Sequence, residues 1–290
     1  MVYSLALLAA LIVGVGEVVQ QRVAMRAPPD ANLSPRLLWW LARRPEWLAG
    51  VGFSLLGNAL FAGALTTGSV VLVEAVFLTR LVFALVVAAL WGWHRVPLRD
   101  LAAAFGLLAS IVVFLLSARP QAGDVDSAGW LFAIVLPVLL SVGVAGIASR
   151  RAGARRATLL GGSAGVLFGL QTVLVKAAVH SLSQRGPAAT LAGWRPYAVV
   201  GVALLGTLMV QSAFEAAPLP ASYPAVVTGQ LLCAMAISVW VLHGGVRSDP
   251  PYVYLMGASL LTMLAGITVL TRSPLLTAPS AQSGPGPSGG

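Results

Sequence analysis

One arginine, three acids and four amides sit within or at the edges of runs that are otherwise almost wholly apolar. Asn58, Arg80, Gln171 and Gln230 fall near the middle of their runs, and Glu17, Glu74, Gln211 and Glu215 fall toward the ends. Polar groups at membrane depth raise the free energy of insertion, so they are functional candidates by default. Their chemistry is that of recognition. A guanidinium makes a two-pronged contact to a carboxylate, a carboxylate takes a cation, and an amide serves either end of a polar molecule. Reaction chemistry has no such set. His94, His180 and His243 lie at the ends of runs, and none pairs with a Cys or a second His at metal spacing. Cys233 is the one cysteine, which excludes an intrachain disulfide and Cys-based metal sites. No P-loop is present, so the chain has no site of that type to drive pumping by a nucleotide. The expectation is a non-enzyme without a bound cofactor.

Each candidate also has a structural role open to it. Asn58, Gln171, Gln211 and Gln230 could serve as interhelical hydrogen-bond partners, and Glu215 could be a solvated carboxylate at a helix end. Lys176, near the end of its run, snorkels. Glu17, Gln20 and Gln21 share one helix face by their spacing, and that face must look into a bundle. Glu74 precedes Arg80 by six residues, about 9 Å along a helix at ~1.5 Å per residue and well round it. The two cannot form a simple local salt bridge, so Arg80 needs a partner from another helix, from water or from substrate.

The elements that carry these residues are set by composition. Hydrophobic residues make up 58% of the 290-residue chain and charged ones 9%, against roughly 25% charged in a soluble domain. Apolar stretches long enough to cross a ~30 Å hydrocarbon core fall at 2–21, 47–67, 70–92, 101–117, 129–148, 158–179, 197–216, 222–242 and 252–271. These predict an all-α polytopic protein of about nine spans in one transmembrane domain over 1–272, with repeat one at about 2–120, a linker span at 129–148 and repeat two at about 158–272. Residues 273–290 are Pro, Ser, Ala and Gly almost throughout, a composition that predicts a disordered tail.

The net charge of +9 reflects topology and contact with anionic lipid, not nucleic acid. With nine spans, one side collects Arg22, Arg26, Arg36, Arg43, Arg44, Arg95, Arg99, Arg150, Arg151, Arg155, Arg156 and Arg272, while the other holds Arg119, Arg185, Arg195 and Arg247. Twelve against four makes the first side cytoplasmic, with the N-terminus outside and the C-terminus inside. No Lys or Arg precedes the first run, so it lacks the n-region of a secretory signal and reads as a retained span. Seventeen Arg to one Lys suggests a GC-rich bacterial genome, hence the plasma membrane.

Between the first two spans, Ser34-Pro35-Arg36-Leu37-Leu38-Trp39-Trp40-Leu41-Ala42-Arg43-Arg44 alternates apolar and basic residues at helical spacing, which predicts an interfacial helix. Trp47, Trp91, Trp93, Trp130, Trp194 and Trp240 near span ends read as an aromatic belt. Short turns at 66–69 and 216–220 predict antiparallel neighbours. Gly161, Gly162, Gly165 and Gly169 permit close helix approach in span six. Pro224 interrupts span eight, where span three has Ala75.

Residues 47–120 and 197–274 read as two copies of one unit, and the matches between them from Gly57 to Arg80 run at a constant offset of 149. Gly57-Asn58-Ala59-Leu60 meets Gly206-Thr207-Leu208-Met209, Thr79 meets Thr228, and Arg80 meets Gly229. Both copies end on a basic-Pro stop, Ala118-Arg119-Pro120 and Arg272-Ser273-Pro274. One span, 129–148, separates the four-span repeats at about 2–120 and 158–272, so the second is inverted, a plan that secondary transporters use to alternate between two openings.

The order of spans, the Gly57…Ser69-Val70-Val71-Leu72-Val73-Glu74 stretch and the Gly206…Glu215…Pro224 stretch resemble the drug/metabolite transporter superfamily. The nine-span plan is more similar to its NIPA-type magnesium transporters than to ten-span EamA permeases. The resemblance implies an acidic role for Glu215, nine positions before Pro224. The chain departs from the NIPA pattern twice, with Gly57-Asn58 where that pattern has Gly-Glu and Glu74-Ala75 where it has Thr-Pro. Mg²⁺ held ~6 Å from an arginine at an effective dielectric near 20 would be repelled by roughly 5 kcal/mol. An Arg80 facing the cavity therefore favours a carboxylate-bearing or neutral metabolite. An Arg80 turned away and neutralised leaves Glu17 and Glu74 as a cation route. The leading expectation is a metabolite transporter working by alternating access, and the alternative is a NIPA-like divalent cation transporter. The partners expected are a small-molecule substrate and the lipid bilayer, with no nucleic acid; a homodimer is compatible with this reading.

Overall fold

The computed structural model describes residues 2–28, 33–65, 76, 77, 79–88, 90, 91, 97–119, 129–245 and 247–270. Among them the chain is helical throughout its regular structure. The helices are α1 (Val2–Ala24), α2 (Pro35–Ala42), α3 (Pro45–Leu65), α4 (Arg80–Ala88), α5 (Leu98–Ala118), α6 (Trp130–Ala148), α7 (Gly153–Ala192), α8 (Arg195–Ala216), α9 (Leu219–Trp240) and α10 (Pro250–Leu270). In hydrocarbon every backbone N–H and C=O needs a partner within the segment, and a helix provides one without a neighbour.

Seven of these helices are long and apolar enough to cross a membrane: α1, α5, α6, the Gly153–Ala178 part of α7, α8, α9 and α10. Of the nine spans expected, those at 47–67 and 70–92 run partly through residues outside the described set. Their described parts are α3 and α4. The outer faces of the bundle are apolar. Leu55, Leu131, Phe132, Leu139, Leu204, Leu261 and Leu264 are all more than half exposed, the surface of a helix bundle whose solvent is lipid. The chain is thus an all-helical polytopic membrane protein.

Two helices organise the packing. α1 lies against both α3 and α4, and α7 lies against both α8 and α9, while α5 pairs with α10. The turn at 216–220 was expected to make α8 and α9 close antiparallel neighbours. They meet only lightly, because each lays its length on α7. Small residues allow this. A Cβ on Gly161, Gly165 or Gly169 would come within 2.3–2.5 Å of the carbonyl oxygens of Ser222, Val226 and Gln230 on α9. The glycines recur every four residues, and so do the carbonyls, so two helices run in backbone contact for two turns. On α1, Gly16 meets Gly50 of α3 in the same way, at 2.7 Å from a Cβ to the Gly50 oxygen.

Proline and glycine mark where the helices break. α7 is two helices joined at Gly186, whose φ of 76° and ψ of 172° suit glycine alone. Pro224 sits inside α9, where it deprives the Pro220 carbonyl of its helical donor. The next carbonyl, that of Ala221, accepts a hydrogen bond from Thr158 Oγ1 of α7 at 2.7 Å.

α2 forms as expected. Leu37 and Leu41 are fully buried against the bundle, and Trp39 on the opposite side is 60% exposed. The aromatic-belt reading needs correcting at two positions. Trp91, Trp194 and Trp240 are exposed, but Trp47 and Trp130 are buried in the core. Proximity to a span end does not distinguish a ring that faces lipid from one that faces the next helix. Trp93 and the tail lie outside the described residues.

Candidate functional site

Near the centre of the bundle α1, α4 and α9 converge. The Glu17 carboxyl of α1 lies beside the phenol of Tyr223 on α9, and both are in the field of the Arg80 guanidinium of α4. Arg80 is 8% exposed. Its Nη2 donates to Oε1 of Gln230 on α9 at 3.2 Å, and its guanidinium carbon stands 4.7 Å from the centre of the Phe77 ring. Another helix thus supplies a partner for Arg80, one of the three sources that its separation from Glu74 left open. Lone arginines cost about 3 kcal/mol at the centre of a spanning helix on insertion scales, and a carboxylate, an amide and a ring face offset that cost here. Two groups at this site keep unmet capacity. Glu17 Oε2 and Tyr223 Oη are buried without a full hydrogen bond from the protein.

The helix packing explains how α4 comes so near. A Cβ on Gly14 of α1 would stand 3.0 Å from the Arg80 carbonyl oxygen. The glycine therefore lets the start of α4 press against α1, and Glu17 follows one turn along the same helix.

A second polar layer lies one turn further along α1. Gln211 Nε2 of α8 donates to Gln20 Oε1 at 2.8 Å, and Gln20 Nε2 donates to Ser54 Oγ at 2.9 Å and to the Gly50 carbonyl of α3 at 3.2 Å. Gln21 Nε2 donates to the Ala217 carbonyl at 3.1 Å, where α8 ends. Nearby, the Leu33 backbone N–H donates to Ser212 Oγ at 3.1 Å. Gln20, Gln21, Gln211 and Ser212 are all buried. The face shared by Glu17, Gln20 and Gln21 looks into the bundle as the sequence predicted.

The remaining candidates separate from this cluster. Asn58 is corrected. It is exposed on α3, and its Nδ2 donates to the Ser54 carbonyl one turn back, at 2.7 Å. Gln171 is half-buried on α7 and joins neither polar layer. Glu215 is half-buried near the end of α8, in the field of Arg156 at the start of α7. Glu74 lies outside the described residues. Lys176 is exposed, in keeping with a snorkelling side chain. Sequence reasoning missed Tyr223 and Phe77 as members of the site. A phenol between Pro220 and Pro224 in an apolar run was a signal available for the first. Among the described residues, no three His, Cys, Asp or Glu side chains gather as a metal-ligand set.

What the inner site offers is a guanidinium, a carboxyl group, a phenol and an amide within an apolar shell. Such a set can meet both ends of a zwitterion, or one end of a monovalent acid.

The fold and these buried groups define the class, a polytopic α-helical membrane protein with a charged interior. The chain is 28% identical over 277 residues to an uncharacterized protein of Corynebacterium glutamicum, covering 95% of this chain and 96% of that one. No family model and no solved structure matches it.

Proposed function

We propose that the protein is a secondary transporter of the drug/metabolite transporter type, moving a small polar metabolite across a bacterial plasma membrane by alternating access. The observation that carries this reading is the placement of Glu17, Arg80, Tyr223 and Gln230 on three helices drawn from both halves of the chain. A site lined by two halves is one that their relative rocking can expose to either side.

The proposal includes nine spans in two inverted repeats, with the N-terminus outside. Two features support the repeat. The pairing of α1 with α3 and α4 is matched by that of α7 with α8 and α9. Arg80 also meets Gln230, the neighbour of the Gly229 that the 149-residue offset assigns to it.

The test is uptake into proteoliposomes. Amino acids and monocarboxylates would form one arm and Mg²⁺ another, with wild-type and Arg80→Ala protein in each. The reading expects a metabolite signal that Arg80→Ala abolishes while insertion and folding persist. Transport of Mg²⁺ with no metabolite signal would replace it by the NIPA-like alternative.

A further inference from the structure

A second site lies at the arginine-rich end of the bundle, away from the charged centre. A cavity of about 340 Å³ opens there between the end of α1, α2 and the start of α3, lined by Val23, Arg26, Trp40, Arg44, Pro45 and Glu46. We propose that it binds the phosphate headgroup of an anionic phospholipid, with the acyl chains leaving along the exposed apolar side of α1 and α3.

Four observations place a phosphate here. Arg44 stacks over the Trp40 ring at 4.4 Å, which fixes its plane and leaves its N–H groups to an oxyanion in a fork geometry. Arg26 lines the same cavity, and its Nη1 is held at 2.9 Å from Glu46 Oε2. That pair is 52% and 61% exposed, so it contributes little and a phosphate can displace the carboxylate. Arg44 also begins the first turn of α3, where its carbonyl accepts from the Leu48 N–H. The 21-residue α3 presents its N-terminal dipole at that point, the end that favours anions.

The surroundings choose a lipid over a soluble phosphate. α2 buries Leu37 and Leu41 beneath it and exposes Trp39, with the Arg43 guanidinium 3.3 Å over that ring. An arginine-backed tryptophan on a surface helix sits at headgroup depth. Met25 and Leu48 beside the cavity are 41% and 50% exposed, so apolar surface continues from its mouth onto the flank of the bundle. Basic pockets between spanning helices hold anionic headgroups by this chemistry.

The experiment uses the full-length protein in nanodiscs or mild detergent, with native mass spectrometry counting retained lipids. The probes are phosphatidylglycerol, phosphatidylcholine and inorganic phosphate. The wild type should retain phosphatidylglycerol in preference to phosphatidylcholine. Arg26→Gln with Arg44→Gln should weaken that preference about tenfold or more, two charges' worth at the membrane surface. Arg150→Gln with Arg151→Gln removes the same charge from the same end and should leave it nearly unchanged. Glu46→Gln removes the competing carboxylate and should strengthen binding, a result that a misfolded protein could not give. Equal loss from both double-arginine variants would overturn the site in favour of diffuse attraction. Displacement of the lipid by millimolar inorganic phosphate would overturn the lipid as its ligand.

Discussion

Arg80 and Gln230 stand 150 positions apart in sequence and 3.2 Å apart in space, one on α4 and the other on α9. The bond links a charged group of the first half to an amide of the second. If the two halves rock against each other, the bond must break or a substrate must replace one of its ends.

Arg80→Ala should therefore abolish metabolite uptake, and Arg80→Lys should restore only part of it, because an ammonium lacks the two-pronged contact to a carboxylate. Gln230→Leu should raise KM more than it lowers the maximal rate, since the amide positions the guanidinium. Full uptake by well-folded Arg80→Ala protein in proteoliposomes would end the substrate-binding role.

The Gln20 and Gln211 layer makes a different prediction. Gln211→Leu removes the donor that reaches Gln20 Oε1 at 2.8 Å between α1 and α8. Interhelical bonds of this kind contribute about 0.6–2 kcal/mol in membranes. The variant should lose that much stability in detergent unfolding. The double variant Gln20→Leu with Gln211→Leu should lose less than the sum of the singles, because the two act as a pair. Strict additivity would mean that the bond contributes nothing.

The polar positions were legible in the sequence, but the way most of them face was not. Glu17, Gln20 and Gln21 were fixed inward by their shared face on α1. Asn58 could not be oriented in the same way, because α3 is apolar nearly all round and its pattern gives no preferred direction. Tyr223 was overlooked because aromatic residues in an apolar run usually read as packing. Arg80 was recognisable from cost alone, since a buried guanidinium demands partners whatever the fold. The glycine spacing on α7 indicated a close helix contact without naming its partner. That partner, α9, depended on tertiary placement.

That contact can be tested by pairing two neighbours. A Cβ at Gly165 would lie 2.3 Å from the Val226 carbonyl oxygen, and one at Gly162 would meet nothing within 4 Å. Gly165→Ala should push α7 from α9 and cost about 1–3 kcal/mol. Gly162→Ala should be neutral or stabilise slightly, since alanine loses less conformational freedom in a helix. Thermal unfolding in detergent would separate them, and equal effects would refute the backbone contact.

The proposed orientation, with the N-terminus outside, rests on the twelve-to-four division of arginines between the two sets of loops of a nine-span plan. A reporter inserted in the 149–152 connection between α6 and α7, where Arg150 and Arg151 are exposed, should be active in its cytoplasmic form alone. A periplasmic signal from that loop would reverse the orientation, and with it the side on which the arginine-lined cavity opens.

Asn58 offers the sharpest contrast with Arg80. It lies at the same expected depth, yet its amide turns back to the Ser54 carbonyl at 2.7 Å on the exposed side of α3. A local bond of this form satisfies one end of the amide without reaching the interior. Asn58→Leu should therefore leave uptake within about twofold of wild type, a change of less than ~0.5 kcal/mol in the barrier. It should also hold or raise stability, because a leucine suits a lipid-facing position better than an amide. Loss of transport by Asn58→Leu with unchanged folding would show that the side chain swings inward during the cycle. The same outcome would return Asn58 to the substrate path.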